Sequence, residues 1–193
     1  YTVITATDSF HGRTLAALAA CGQPHKHEPF APMPQGFTHI ARGDIEALNG
    51  AVDETTAAVH LEPILGEGGV WPHTSDYLSK AESLTREHGL LFMVDEVQSG
   101  LCRTGEWFSF QHYDLNPDVV CMAKALGNGF PIGAVWVKRE LAASFEAGDH
   151  GSTYGGNPLG SAVARKVLEI MKRDNYNLKA QLIEEQIRTS MSE

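Results

Sequence analysis

The chain is short of cysteine, of long apolar runs and of clustered positive charge, and each shortage removes a class of protein. Its three cysteines, Cys21, Cys102 and Cys121, are odd in number, far apart and without CxxC spacing. Neither a disulfide framework nor a cysteine-bound zinc is therefore expected, and the sequence assigns no metal ligands. The thiols read as free, in a reducing compartment, with Cys121 a core residue inside an apolar run. No apolar stretch approaches the roughly 20 residues of a membrane-spanning helix, and no basic-then-apolar leader opens the chain. The expectation is a soluble, cytoplasmic protein with no membrane partner. Acidic side chains outnumber basic ones 24 to 15, for a formal charge of −9, and Lys and Arg form no stripe. A nucleic-acid partner is not expected, because a phosphate backbone is held by such a stripe. The GxGxxG turn of a dinucleotide-binding domain is missing too: the first strand leads into Ser9-Phe10-His11-Gly12-Arg13-Thr14.

What is present is one domain's worth of alternating pattern. Short β-rich apolar runs at 2–6, 57–61, 90–94, 118–122 and 132–137 alternate with helical patterns at 13–20, 45–52, 76–88, 140–147, 158–173 and from 178 onward. The runs lack polar alternation, as strands covered on both faces of a parallel sheet do. In the 76–88 pattern Leu78, Ala81 and Leu84 share a face, Ser75 can cap the start and Gly89 can end it. The alternation predicts an α/β fold, a mostly parallel sheet with helices on both faces, and no linker marks a domain boundary.

In such sheets ligands bind beyond the carboxyl ends of the strands. Three strand ends carry reactive or turn-forming residues: Glu62-Pro63-Ile64-Leu65-Gly66-Glu67-Gly68-Gly69, Asp95-Glu96-Val97-Gln98, and Lys124 followed by Gly127-Asn128-Gly129. A lysine desolvated there can have a lowered pKa and condense with an aldehyde, although a lysine snorkelling at a sheet edge is equally compatible with its position alone. Asp95 closes the apolar run Leu90-Leu91-Phe92-Met93-Val94. A carboxylate there wants a cationic partner, and the ring nitrogen of pyridoxal phosphate (PLP) is one. A helix cap or a loop ion pair would also account for Asp95 taken singly. Phe10 can stack on an aromatic ring and Arg13 can clamp a carboxylate, or they are a core Phe and a solvated Arg. The run Gly151-Ser152-Thr153-Tyr154-Gly155-Gly156-Asn157-Pro158 either binds phosphate or caps the next helix.

Together these motifs resemble the class III (ornithine/acetylornithine) aminotransferase family over essentially the whole chain. The resemblance is carried by Ser9-Phe10-His11-Gly12-Arg13-Thr14-Leu15-Ala16-Ala17-Leu18, by Val94-Asp95-Glu96-Val97-Gln98-Ser99-Gly100 with Arg103-Thr104-Gly105, by Ala123-Lys124-Ala125-Leu126 with Gly129-Phe130-Pro131-Ile132-Gly133-Ala134, and by His150-Gly151-Ser152-Thr153-Tyr154-Gly155-Gly156-Asn157-Pro158-Leu159. It implies a fold type I PLP domain in which Lys124 holds the cofactor and moves the substrate proton. Asp95 would meet the ring nitrogen, Gln98 the phenolic oxygen side and Phe10 the ring face, with Glu96 and Val97 in the same cofactor strand and Glu62 nearby. Arg13 and Ser152 would meet an acylated substrate, Glu67 would gate carboxylate binding, and Thr153 would reach the phosphate of a neighbouring subunit's cofactor, implying a homodimer. The implied reaction moves the terminal amine of N2-acetylornithine to 2-oxoglutarate in arginine biosynthesis, with ornithine, succinylornithine and 4-aminobutyrate as other donors in the family. Residues 1–193 would then be the central part of the large domain, with the phosphate-cradling segment upstream of Tyr1 and a small domain beyond Glu193. Such a fragment would bind PLP weakly and is expected to be inactive. The sequence departs from the family pattern at Leu65, where Gln is usual, and at Cys102 and Asn128, where Gly is common.

Overall fold

A computed structural model describes residues 1–192. The chain sorts into two compact units, Tyr1–Asp95 with Tyr113–Val119, and Glu96–His112 with the residues from Val120 on. No shift in composition announces this division. It falls between Asp95 and Glu96, between His112 and Tyr113, and inside a strand between Val119 and Val120.

The first unit contains, in order, β1 (Thr2–Ala6), α1 (Leu15–Ala20), β2 (Phe37–Ile40), α2 (Ile45–Ala51), β3 (Thr56–Leu61), β4 (Ile64–Leu65), β5 (Trp71–Pro72), α3 (Ser75–Glu87) and β6 (Leu91–Asp95). β1 pairs with β2 on one side and β3 on the other, and β3 pairs with β6, all in parallel. The expected parallel α/β order is thus present. Ile4 stands opposite Val59 and Val59 opposite Phe92, and this row is fully buried. On β3 both faces are covered, since Val59, His60 and Leu61 are all buried in succession. That explains an apolar run without alternation, and makes His60 a polar exception within it. β2 escapes the sequence pattern because Thr38 and His39 are exposed, so little apolar signal marks it.

The α3 face of Leu78, Ala81 and Leu84 is buried as its spacing requires. Its cap is Thr74, whose side chain accepts from the Tyr77 N–H, one residue earlier than Ser75. Gly89, at φ +66°, follows the helix end in the left-handed conformation open to glycine. At the start of the next strand, Asp118 accepts the Phe92 N–H at 2.8 Å and pairs with Arg86 of α3, tying helix to strand end.

β7 (Val119–Met122) begins in the first unit and continues into the second, which also holds β8 (Ala134–Val137), α4 (Arg139–Ala142), α5 (Pro158–Arg173) and α6 (Tyr176–Ser192). Leu101, Leu126 and Ala164 form its core, with Phe108, Met122, Ile132 and Leu168 packed against them. α4 stops well short of the 140–147 pattern. Phe145 remains exposed, and a helix that buries no apolar face is held by little beyond its own weak propensity. Asn157 caps α5 by accepting the Gly160 N–H at 2.8 Å, and Pro158 takes the first helical position. Cys21 and Cys102 are buried, whereas Cys121 is half-buried and so not the core thiol its apolar run suggested. No helix of the described residues is long and apolar enough to cross a membrane.

His73, buried beside Tyr77 with ring centroids 4.8 Å apart, has its pKa lowered to about 4 by burial and then by the Arg42 charge. The unfolded chain therefore takes up this proton first as pH falls. The stability that depends on neutral His73 is present above about pH 6.5 and is lost as pH drops toward 4, by on the order of 3 kcal/mol. His73→Phe should flatten the urea midpoint between those pH values relative to the unsubstituted chain; an unchanged slope would show that His73 does not titrate there.

Candidate functional site

Three strand ends of the first unit deliver buried polar groups. Asp95 ends β6 and is 5% exposed. Its Oδ2 lies 3.0 Å from His11 Nδ1, a hydrogen bond, and 3.9 Å from His60 Nε2. The His11 and His60 rings sit with centroids 4.2 Å apart. Burial pushes His60 well below the ordinary imidazole value, to about 3, and the neighbouring His11 adds to the shift while Asp95 opposes it. Two imidazoles this close cannot both be cationic in a water-poor site, so His60 is neutral.

Glu62, which follows β3, is also buried and accepts backbone N–H groups from Phe10 at 2.8 Å and Gly66 at 3.3 Å. Burial raises its pKa, opposed by the Phe10 hydrogen bond. Glu62 thereby fixes the backbone of the segment that carries Phe10. The Phe10 ring has Lys26 Nζ 4.7 Å and the Arg13 guanidinium 5.4 Å from its centroid, both at cation–π range. Lys26 also pairs with Glu67, which accepts from Gln23 at 2.7 Å as well, and these two contacts hold the Glu67 carboxyl below its usual range. Phe10, Arg13 and Glu67 thus belong to one cationic and carboxylate cluster around an aromatic face.

In the second unit Glu96 is buried, and its carboxylate accepts from the Ser99 and Ser109 hydroxyls, each at 2.7 Å, and from the Phe110 N–H at 2.8 Å. The protein itself occupies this carboxylate, so Glu96 acts as a strut for its loop. Val97 is half-buried and Gln98 exposed. Lys124 follows β7 and opens a single 3-10 turn, with φ +42°. A left-handed backbone at a residue other than glycine costs on the order of 1–3 kcal/mol and persists only where its surroundings enforce it. Here Gly127 and Asn128 donate to the Lys124 carbonyl, both at 3.1 Å. A Cβ on Gly127 would lie 1.9 Å from the Phe130 carbonyl oxygen, so only glycine closes this turn. The turn leaves Lys124 exposed, with Nζ 3.5 Å from Gln98 Oε1, at the outer limit of a hydrogen bond. Ser152 and Thr153 lie in an exposed loop, where the Ser152 hydroxyl accepts the Gly155 N–H. The run does cap the next helix, through Asn157 and not through the Ser152 or Thr153 hydroxyl.

The strand-end carboxylates, Phe10 and Lys124 are the residues that the sequence singles out as candidates. His60 was not assigned a role, although a histidine inside Ala57-Ala58-Val59-His60-Leu61 is itself the signal, and His11 was read only as part of a motif.

The family model described as "Aminotransferase class-III" matches residues 1–193, and the chain belongs to that family. It is 50% identical over 176 residues to the acetylornithine aminotransferase of Myxococcus xanthus, covering 91% of this chain and 44% of that protein. It is 48% identical over 169 residues to that of Methanothermobacter thermautotrophicus, covering 88% of this chain and 43% of that protein. The chain thus spans less than half the length of these relatives. Among solved structures it resembles the ornithine aminotransferase of Toxoplasma gondii, with a TM-score of 0.93 at 36% identity, covering 98% of this chain and 46% of that one. That structure is described as showing partial occupancy of PLP at its active site. A Bacillus anthracis aminotransferase gives a TM-score of 0.90 at 31% identity, covering all of this chain and 50% of that one.

The family implies PLP, and the residues present fit it. PLP needs an amine to attach to, a carboxylate for its ring nitrogen and a flat apolar face. Lys124 offers an exposed amine on an enforced turn, Asp95 a buried carboxylate, and Phe10 an aromatic ring.

Glu62→Ala leaves the Phe10 and Gly66 N–H groups without their acceptor, and should cost about 1–3 kcal/mol per buried donor in urea unfolding. Glu62→Gln keeps one acceptor oxygen and should cost clearly less. Equal losses in the two variants would mean that Glu62 stabilises by its charge and not as a backbone acceptor.

Proposed function

We propose that the chain is the cofactor-holding part of a transaminase that moves the terminal amine of N2-acetylornithine to 2-oxoglutarate, yielding N-acetylglutamate semialdehyde and glutamate. The observation that carries this reading is Lys124, held in a left-handed turn at a strand end with Gln98 beside its amine. Identity near 50% to acetylornithine aminotransferases supports the choice of donor.

Lys124 anchors the cofactor and, once its amine is free, carries a proton to and from the carbon that bears the migrating amine. PLP, when bound, supplies the electron sink that stabilises negative charge on that carbon. Asp95 holds the ring nitrogen in its protonated form; the hydrogen bond from His11 aims the carboxylate. Phe10 offers its ring as a flat wall and Gln98 steadies the lysine amine. Arg13 presents a two-pronged donor to a substrate carboxylate, with Ser152 as a second contact, and Glu67 competes for that same cation. The Lys26 pairing of Glu67 sets how readily it does so.

Thr153 is assigned to the cofactor phosphate of a second subunit, so the working form is a homodimer. Apolar side chains left exposed along α6, among them Leu182, Ile183 and Ile187, support burial of this unit against more protein. A place in arginine biosynthesis, in the cytoplasm, follows from the proposed substrate. The ornithine aminotransferases among the structural neighbours make ornithine the main competing donor.

Incubation of the chain with PLP, borohydride reduction and peptide mass spectrometry should find a pyridoxyl group on Lys124, and Lys124→Ala should remove it. An adduct at other lysines, or none either in this chain or in a full-length protein containing it, would overturn the cofactor assignment. In that full-length protein N2-acetylornithine should exceed ornithine and 4-aminobutyrate as donor to 2-oxoglutarate; a preference for either of the others would replace the proposed substrate.

A further inference from the structure

His60 is buried in an apolar strand, and the chemistry assigned to Lys124, Asp95 and Arg13 does not call on it. β3 and β6 run in parallel with His60 opposite Met93, two residues before Asp95. Side chains two apart in a strand share a face, so His60 and Asp95 lie on the same side of the sheet. His60 Nε2 comes within 3.9 Å of Asp95 Oδ2, the oxygen that His11 Nδ1 meets at 3.0 Å. The side chains of His11, His60 and Asp95 are 2%, 9% and 6% exposed, so all three are shielded from bulk water.

An ionised carboxylate only accepts hydrogen bonds, so the nitrogen that faces it bears a proton. For His11 that nitrogen is Nδ1 and for His60 it is Nε2. Because His60 is neutral, its Nδ1, buried and without a hydrogen bond, is the bare nitrogen. Two imidazole N–H groups therefore converge on one carboxylate oxygen, the first as a hydrogen bond and the second as a longer charge–dipole contact. The His60 ring, 4.2 Å from that of His11 and tilted by 39°, also backs the His11 ring and holds its plane. A neutral donor suits this place. Lysine or arginine would cancel the Asp95 charge and compete with the protonated ring nitrogen that the carboxylate holds. Leucine would fill the strand but offer the carboxylate nothing.

We propose that His60 is a positioning residue for the cofactor carboxylate: it orients Asp95 and stabilises its charge, and acts on the ring nitrogen only through Asp95 and His11. This rests on the cofactor reading of Asp95 and adds to it a residue outside the motifs that carry the family resemblance. All three side chains belong to the first unit.

The test compares His60→Leu with His60→Gln in a full-length protein that contains this chain, by fluorescence titration of the apoenzyme with PLP, urea unfolding and steady-state kinetics. Glutamine keeps an N–H near the reach of Nε2, and leucine does not. His60→Leu should bind PLP about two- to tenfold more weakly, the size of one net hydrogen bond. It should lower kcat while leaving KM for the amino donor unchanged, and its urea midpoint should hold or rise, since a buried polar ring has been replaced by an apolar side chain. His60→Gln should recover most of the PLP affinity. Unchanged PLP affinity in His60→Leu overturns the proposal, as does a His60→Gln no better than His60→Leu, or a loss of affinity that merely tracks a lower urea midpoint. Where a variant does not fold, nitrogen-15 NMR of the histidine rings in the unsubstituted chain decides: a proton on His60 Nε2 is expected, and one on Nδ1 alone overturns the assignment. Borohydride trapping in the unsubstituted full-length protein is read separately. No pyridoxyl group on Lys124 there overturns the cofactor reading, whereas trapping with unchanged affinity in His60→Leu overturns only the role of His60.

Discussion

A strand covered on both faces has only its ends for ionisable groups, and a carboxylate there must find donors or lose its charge. This constraint recurs along the chain. Glu62 is held by the N–H groups of Phe10 and Gly66, Glu96 by two serine hydroxyls and the Phe110 N–H, and Asp118 by the Phe92 N–H and Arg86. For Glu62 and Glu96 the donors come from loop segments, so the carboxylate shapes the loop as much as the loop solvates the carboxylate; for Asp118 they come from β6 and α3. Asp95 meets the same demand with histidine, a partner that can give up its proton. A strand end held by an imidazole can exchange its partner for a ligand; one held by backbone N–H groups cannot do so without unfolding its loop.

Backbone strain marks the other half of the chemistry. Leu101, Cys102, Lys124 and Asn128 all have positive φ, between +42° and +66°. Cys102 and Asn128 are the two positions at which the family resemblance implies glycine, and their left-handed backbone is a physical reason glycine would suit them. Asparagine tolerates that conformation better than other side chains, and Asn128 is exposed, so its departure is mild. Cys102 is buried. Leu65, where the resemblance implies glutamine, is fully buried and packs as a core residue.

The fold was largely legible because strands such as 2–6 and 57–61 are buried on both faces and carry unbroken apolar runs. Exposed β2 left no such trace, and α4 ended early because Phe145 found no core, a tertiary fact that local pattern does not contain. The cap of α3 moved from Ser75 to Thr74 because both are capping types and only the chain path chooses between them. Lys124 and Asp95 stood out as candidates because each follows or closes an apolar run at a strand end, and Phe10 because it lies in a segment that follows a strand and opens a helix. The pairing of His11 with Asp95 joins residues 84 positions apart, and adjacency at that distance is set by strand order, not by spacing in sequence.

Asp95 and Glu96 are neighbours in the chain yet belong to different units and take different partners, imidazole for one and hydroxyls for the other. The two side chains differ by one methylene, so a substitution of either by the other is a change of reach alone. A change of count is another matter. Strand side chains alternate between faces, and removing one residue anywhere within Leu91–Asp95 would bring Glu96 to the place of Asp95 and turn the apolar residues before it inside out. This stretch is thus forgiving of spelling and intolerant of frame. Insertions and deletions should be absent from it even in distant sequences whose individual residues have drifted.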